Sequence, residues 1–73
     1  MTNNYSITDY FFAKEDSANN TIELFCKMTS SDWGTEMSVV KYSPVSEDTD
    51  TKWEAFNKEV FDTLGFLPEY DIK

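Results

Sequence analysis

Apolar positions along the chain follow two periods. From Thr21 to Met28 they alternate, with Ile22, Leu24, Cys26 and Met28 on one side and Glu23, Phe25 and Lys27 on the other, as a half-buried strand requires. From Thr51 to Gly65 the period lengthens. At about 100° per residue, Trp53, Phe56, Val60, Phe61 and Leu64 share an apolar arc opposite Glu54, Lys58, Glu59 and Asp62, the pattern of an amphipathic helix. Thr51, with Glu54 three residues on, fits a capping box. Gly65, with Pro68 beyond it, fits a left-handed stop.

Two further strands are expected around the alternating one. Ser6 to Glu15 is short and rich in aromatic and β-branched residues, which favour extended backbone. Asp16 to Asn20 supplies side chains that bond their own backbone, so it reads as a turn. Thr29 to Gly34 is a second loop signal. Thr35 to Tyr42 is the third strand, with Met37, Val39 and Lys41 on one face, Ser38, Val40 and Tyr42 on the other, and Pro44 ending it. Ser46 to Asp50 is an acidic lead-in to the helix. Phe66-Leu67-Pro68 is an apolar clamp, and residues 1–5 and 69–73 are read as frayed ends. The pattern predicts one α+β domain over 1–73, a three-stranded antiparallel meander followed by one C-terminal amphipathic helix packed on one face.

One helix covers only one face of such a sheet. Ile22, Leu24, Cys26 and Met28 form the natural seat for it. The opposite face is expected to carry Phe25, Val40 and Tyr42 with aromatics of the first strand, too apolar for free solvent. It is therefore a candidate second interface, through which homodimerisation would give a structural or assembly subunit.

Length and charge then narrow the possibilities. A core below roughly 70–80 residues rarely supplies more than ~3–5 kcal/mol of net stability, and this chain has 73 residues, one Cys and no His. Dense aromatic packing and oligomerisation are the remaining sources, and two Trp, four Tyr and six Phe provide for the first. The 14 acidic residues against 6 basic ones, all Lys, give a formal charge of −8. No Lys/Arg cluster stands in the sequence to release counterions from a phosphate backbone, so direct nucleic-acid binding is not expected. With no apolar run near the roughly 20 residues of a membrane span, and no basic-then-apolar leader at Met1–Ser6, the expected setting is cytoplasmic, away from membranes.

Catalytic chemistry finds few residues to use. Cys26 has no His to activate it and sits mid-strand among apolar neighbours, which is the signature of inert packing. No Gly-x-Ser-x-Gly occurs, and neither Gly34 nor Gly65 lies in a phosphate-cradling run. Asp48, Asp50 and Glu59 occupy positions 1, 3 and 12 of a calcium-loop template, but Trp53 stands where that loop needs Gly. No cofactor or metal is expected, and a non-enzymatic binding protein is.

The surface chemistry favours a basic protein partner, because opposite fields raise association rates. Glu47, Asp48, Asp50, Glu54, Glu59 and Asp62 form the expected partner-binding face, with Trp33 as an apolar anchor of the type enriched at hot spots. Carboxylates four apart on a helix lie ~6 Å from one another, near the interval between phosphates, so mimicry of DNA or RNA toward a nucleic-acid-binding protein is one form of this expectation. Lys58 interrupts the acidic face. In composition alone, with its small size, acid excess, many aromatics and no Arg, the chain looks like the small acidic inhibitors of bacteriophages and mobile elements. Anti-CRISPR and anti-restriction proteins are among these. That resemblance implies an anti-defence inhibitor and assigns no residue roles.

Overall fold

The computed structural model describes the backbone of residues 6–29 and 34–73, and the side chains of residues 10–27 and 36–73. Trp33 and residues 1–5 lie outside the described residues. Strands β1 (Ser6–Asp16), β2 (Thr21–Thr29) and β3 (Gly34–Tyr42) precede helix α1 (Thr49–Leu64), and a short strand β4 (Asp71–Ile72) follows it. The sheet order is β3-β2-β1-β4. The fold is α+β with one helix, as the periodicity predicts.

The first hairpin closes on its own side chains. The Asp16 carboxylate accepts from the backbone N–H groups of Ala18 (3.1 Å) and Asn19 (3.4 Å) and from the Asn19 side-chain amide (2.7 Å). Asn20 takes the left-handed conformation at φ 54°, which Asn tolerates better than most residues. Its side-chain amide donates to the Pro44 carbonyl, tying this turn to the end of β3.

Strand alternation then divides the sheet. Phe11, Ala13, Ile22, Leu24, Cys26 and Val40 are buried together with Phe56 and Val60 of the helix. This places the core between the sheet and α1. Register explains the grouping, since Leu24 lies between Ala13 and Val40, and Cys26 between Phe11 and Met37.

Val40 and Tyr42, expected on the open face, belong to this core side instead. Leu24 pairs with Val40 while Phe25 pairs with Ser38, which leaves Val39 as an extra residue in a β-bulge. One extra residue reverses the facing of everything beyond it. Val40 is buried, and the Tyr42 ring lies 6.2 Å from that of Phe56. Phe25 does face the open side, in a row with Phe12 and Ser38.

The helix is rolled relative to the expected arc. Lys52, Phe56 and Val60 are its buried residues, and Phe61 is 53% exposed. The stripe i, i+4, i+8 is centred one position toward Lys52, because that side chain reaches Glu15 on β1, with Nζ 2.5 Å from a carboxylate oxygen. Trp53 and Leu64 pack partly against the core.

The helix also begins earlier than Thr51. Asp48 is the N-cap and its carboxylate accepts from the Thr51 N–H at 2.8 Å, one of the donors left free at a helix start. Gly65 ends the helix at φ 84°, its N–H donating to the Phe61 carbonyl at 2.8 Å.

The Thr51 N–H holds the Asp48 carboxyl below its ordinary range, so its contribution to stability is present above the ordinary aspartate value near 4. That contribution is lost as pH falls through the depressed folded value. The Asp16 carboxyl is lowered in the same direction, by the Asn19 side chain first. Thermal melts from about pH 6 down to about 2.5 are expected to lose midpoint below about pH 4. Asp48→Asn, which keeps a good cap without the titration, should flatten that dependence; an unchanged profile would remove Asp48 from it.

Beyond Gly65 the chain returns to the sheet, and Asp71–Ile72, within the segment expected as a frayed end, is placed as strand β4. Of the expected Phe66-Leu67-Pro68 clamp, Phe66 meets the Phe11 ring edge-on at 6.4 Å while Leu67 is exposed. Tyr70 packs edge-on against Phe56 at 6.3 Å, and its hydroxyl donates to the Asn57 side chain. Asp71 and Ile72 then pair in parallel with Phe12 and Ala13, and the Lys73 N–H reaches the Ala13 carbonyl at 2.8 Å.

Candidate functional site

The acidic residues singled out in the sequence gather along α1 and its lead-in, in unequal states. Asp48 is engaged as the N-cap. Glu47 accepts a 2.7 Å hydrogen bond from the Tyr42 hydroxyl. That bond, then burial and the nearby Glu47 and Glu59 charges, push the Tyr42 pKa up. Asp62 is paired with Lys58 one turn earlier at 3.1 Å, with both side chains largely in solvent. Such pairs contribute little.

Asp50 and Glu54 are exposed, stand one helical turn apart and have no ion-pair partner among the described residues. Glu59 is half-buried on the β3 flank of the helix, near Tyr42. The six carboxylates all belong to the helix layer, with Asp50 and Glu59 on opposite flanks of α1, and only Asp50 and Glu54 are both fully presented and unengaged.

The lysines are distributed the other way. Lys52 is buried against Glu15 and Lys58 is on the helix. Lys14, Lys27, Lys41 and Lys73 all lie on the open face of the sheet. Strand register places Lys14 beside Glu23, Glu23 beside Lys41, and Lys27 between Tyr10 and Glu36. No signal in the sequence marks this gathering, since successive members of the four are 13 to 32 positions apart. Only strand pairing brings them to one face.

An aromatic row runs through the middle of that face. The Phe12 and Phe25 rings stack at 5.1 Å with an interplanar angle of 12°, and Tyr10 is 5.8 Å from Phe12. The Lys73 ammonium sits over both Tyr10 (5.5 Å) and Phe12 (5.8 Å), a cation–π arrangement. The Tyr10 hydroxyl donates to Asp71 at 3.2 Å. Tyr10 and the Asp71 and Glu36 carboxylates raise the Lys73 pKa, Tyr10 most. The C-terminal strand thus partly covers the aromatic row from its β1 edge.

Chemistry at other points is limited by position. Cys26 is fully buried between Phe11 and Met37, and burial pushes its thiol pKa up, opposite to what a nucleophile needs. Asp48, Asp50 and Glu59 lie at the cap, in the first turn and in the body of a continuous helix. They form no loop that could wrap a cation. Among the described residues no group of three or more His, Cys, Asp or Glu comes together as metal ligands. No helix among them is long and apolar enough to cross a membrane. No protein-family model, curated protein or solved structure matches the chain.

Proposed function

We propose that this protein is a non-enzymatic binding protein that docks the acidic side of α1 on a basic, nucleic-acid-handling protein and modulates or inhibits it. The observation that carries the proposal is charge segregation. Six carboxylates, Glu47, Asp48, Asp50, Glu54, Glu59 and Asp62, meet one exposed ammonium, Lys58, on the helix side, while the other exposed lysines are on the far side of the sheet. At physiological salt the Debye length is about 8 Å. The two faces are separated by a sheet–helix layer of about 10 Å. A partner at the helix therefore meets its carboxylates with little cancellation from the lysines.

The exposed Asp50–Glu54 pair, one turn apart, is the part of this surface that repeats at a phosphate-like interval of ~6 Å. Blocking of a nucleic-acid groove, and with it an anti-defence role of the bacteriophage kind, is the specific form proposed. Lys58 limits the repeat to that pair.

The test uses the immobilised full chain and a lysate of the native host. Captured proteins are expected to be basic, to elute between about 0.1 and 0.5 M salt, and to be displaced by duplex DNA. Asp50→Lys/Glu54→Lys should lose them, with affinity falling about tenfold or more. Asp48 is left intact in this variant because it caps the helix. Capture that survives both high salt and charge reversal would overturn the proposal.

A further inference from the structure

The open face of the sheet, on the opposite side from the helix, carries an order that matches a second copy of itself. Three of its cross-strand rows, about 7 Å apart, cross β1, β2 and β3, and Asp16 beside Thr21 lies one row beyond Lys14. The middle row is Phe12, Phe25 and Ser38. One outer row reads Lys14, Glu23, Lys41 and the other Tyr10, Lys27, Glu36, in the same β1, β2, β3 order.

A two-fold axis lying in the face admits two simple orientations. With the axis along the strands, each outer row meets its own reverse, so Lys14 meets the partner's Lys41 and Glu23 meets the partner's Glu23. Like charges oppose throughout that row. With the axis running along the middle row, each outer row meets the other kind. Lys27 then faces the partner's Glu23, Glu36 faces the partner's Lys41, and the Tyr10 ring faces the partner's Lys14. Glu23, Lys27, Glu36 and Lys41 each acquire an opposite charge, and Phe25 meets its own copy between them, while the Lys73 ammonium stays over Tyr10 and Phe12 at the β4 end of the face. Asp71, the carboxylate at the edge of the middle row, has the Lys73 ammonium beside it on the same face.

We infer that the protein forms an isologous dimer through this face, with the two-fold axis along the Phe12–Phe25–Ser38 row. The occupant is a second copy because the complementarity is of the face with itself, down to strand order, and a C2 contact is self-complementary by construction. Sheets packed this way sit about 10 Å apart, within reach of Lys–Glu pairs across the gap.

The described part of the face spans on the order of 300–400 Å² per copy. A standard interface buries ~800 Å² per partner. The dimer is accordingly weak and reversible, populated near 100 µM rather than at nanomolar concentration. It leaves α1 outermost on both copies, so the two acidic helix faces are displayed on opposite sides of one particle.

Sedimentation velocity from about 1 to 500 µM is expected to show a monomer–dimer equilibrium that weakens with salt. Glu23→Lys alone sets Lys27 against a partner lysine twice, and Lys27→Glu alone sets Glu23 against a partner glutamate twice. Each variant should stay folded by circular dichroism and dimerise about tenfold or more weakly. Mixed in equal amounts, the two variants restore opposite charge at every pair and should recover the wild-type dimer, although neither chain has changed internally. Asp50→Lys on the helix side should leave the equilibrium unchanged. A wild-type chain that is monomeric across the range, or a mixture no more associated than its components, overturns the inference. So does a dimer abolished by Asp50→Lys.

Discussion

Phe56→Ala is expected to leave most molecules unfolded at 25 °C. Phe56 is fully buried, and its ring lies 5.5 Å from Trp53, 6.2 Å from Tyr42 and 6.3 Å from Tyr70. It is where the helix, β3 and the returning C-terminal segment meet. Truncating a buried Phe to Ala costs about 3–5 kcal/mol in transfer and cavity terms, and lost edge-on aromatic contacts add about 0.5–1.5 kcal/mol each. A domain of this size has only ~3–5 kcal/mol to lose. Near-UV circular dichroism should therefore collapse in Phe56→Ala, and the urea transition should have no folded baseline. Phe61→Ala, five residues on in the same helix, removes the same ring from a side chain that is 53% exposed. It should change stability by about 0.5 kcal/mol or less. A cooperative Phe56→Ala melt losing under about 1.5 kcal/mol would mean that the core is not centred here.

That contrast marks where local pattern stops being informative. Helical periodicity alone puts Phe56 and Phe61 in one arc. Only contact with the sheet decides which one turns inward, and on that side Lys52 reaches Glu15, a partner 37 residues away. Period-2 alternation was enough to identify Ile22, Leu24 and Cys26 as the seat of the helix, because no bulge interrupts β2 against β1 at those positions. It was not enough for β3. The bulge at Val39 carries no Gly or other sequence mark, and it moves Val40 and Tyr42 to the opposite face from the one simple alternation gives them.

The ends of elements show the same division. Gly65 announces its own left-handed cap, since few other residues adopt φ near +84°. The capping-box pattern puts the helix start at Thr51, but Asp48 three residues earlier is an equally good cap residue. The structure selects Asp48, letting Thr49 and Asp50 enter the first turn. Strand β4 has two residues, too short to show a period. It exists through pairing with Phe12 and Ala13 and through the Tyr70 ring on Phe56. The acidic side of the candidate site was legible because its residues are close in sequence. The lysine–aromatic face was not, because strand pairing assembles it from three strands and the C-terminus.

Lys52 and Glu15 give the second large effect, with a size that depends on which partner is removed. Glu15→Gln should destabilise the protein more than Lys52→Met. The Lys52 side chain is 9% exposed and that of Glu15 is 30% exposed, so the two do not have equal access to water once separated. Without the carboxylate, the ammonium is left in the core margin with no anion, and breaking a buried pair in this way costs up to about 3–5 kcal/mol. Partial exposure of Glu15 reduces that here to roughly 2–3 kcal/mol. Without the ammonium, Glu15 can rehydrate. Met preserves the apolar stem that packs beside Phe56, so the loss should be about 1 kcal/mol or less. The double variant Glu15→Gln/Lys52→Met removes the stranded charge and should recover most of what Glu15→Gln loses, giving a coupling of about 2–3 kcal/mol. Urea denaturation of the four proteins measures the cycle. If Lys52→Met is the more damaging single change, the pair acts chiefly through the packing of the lysine stem and not through its charge. The roll of α1 would then be set by the fit of that stem at the margin of the core.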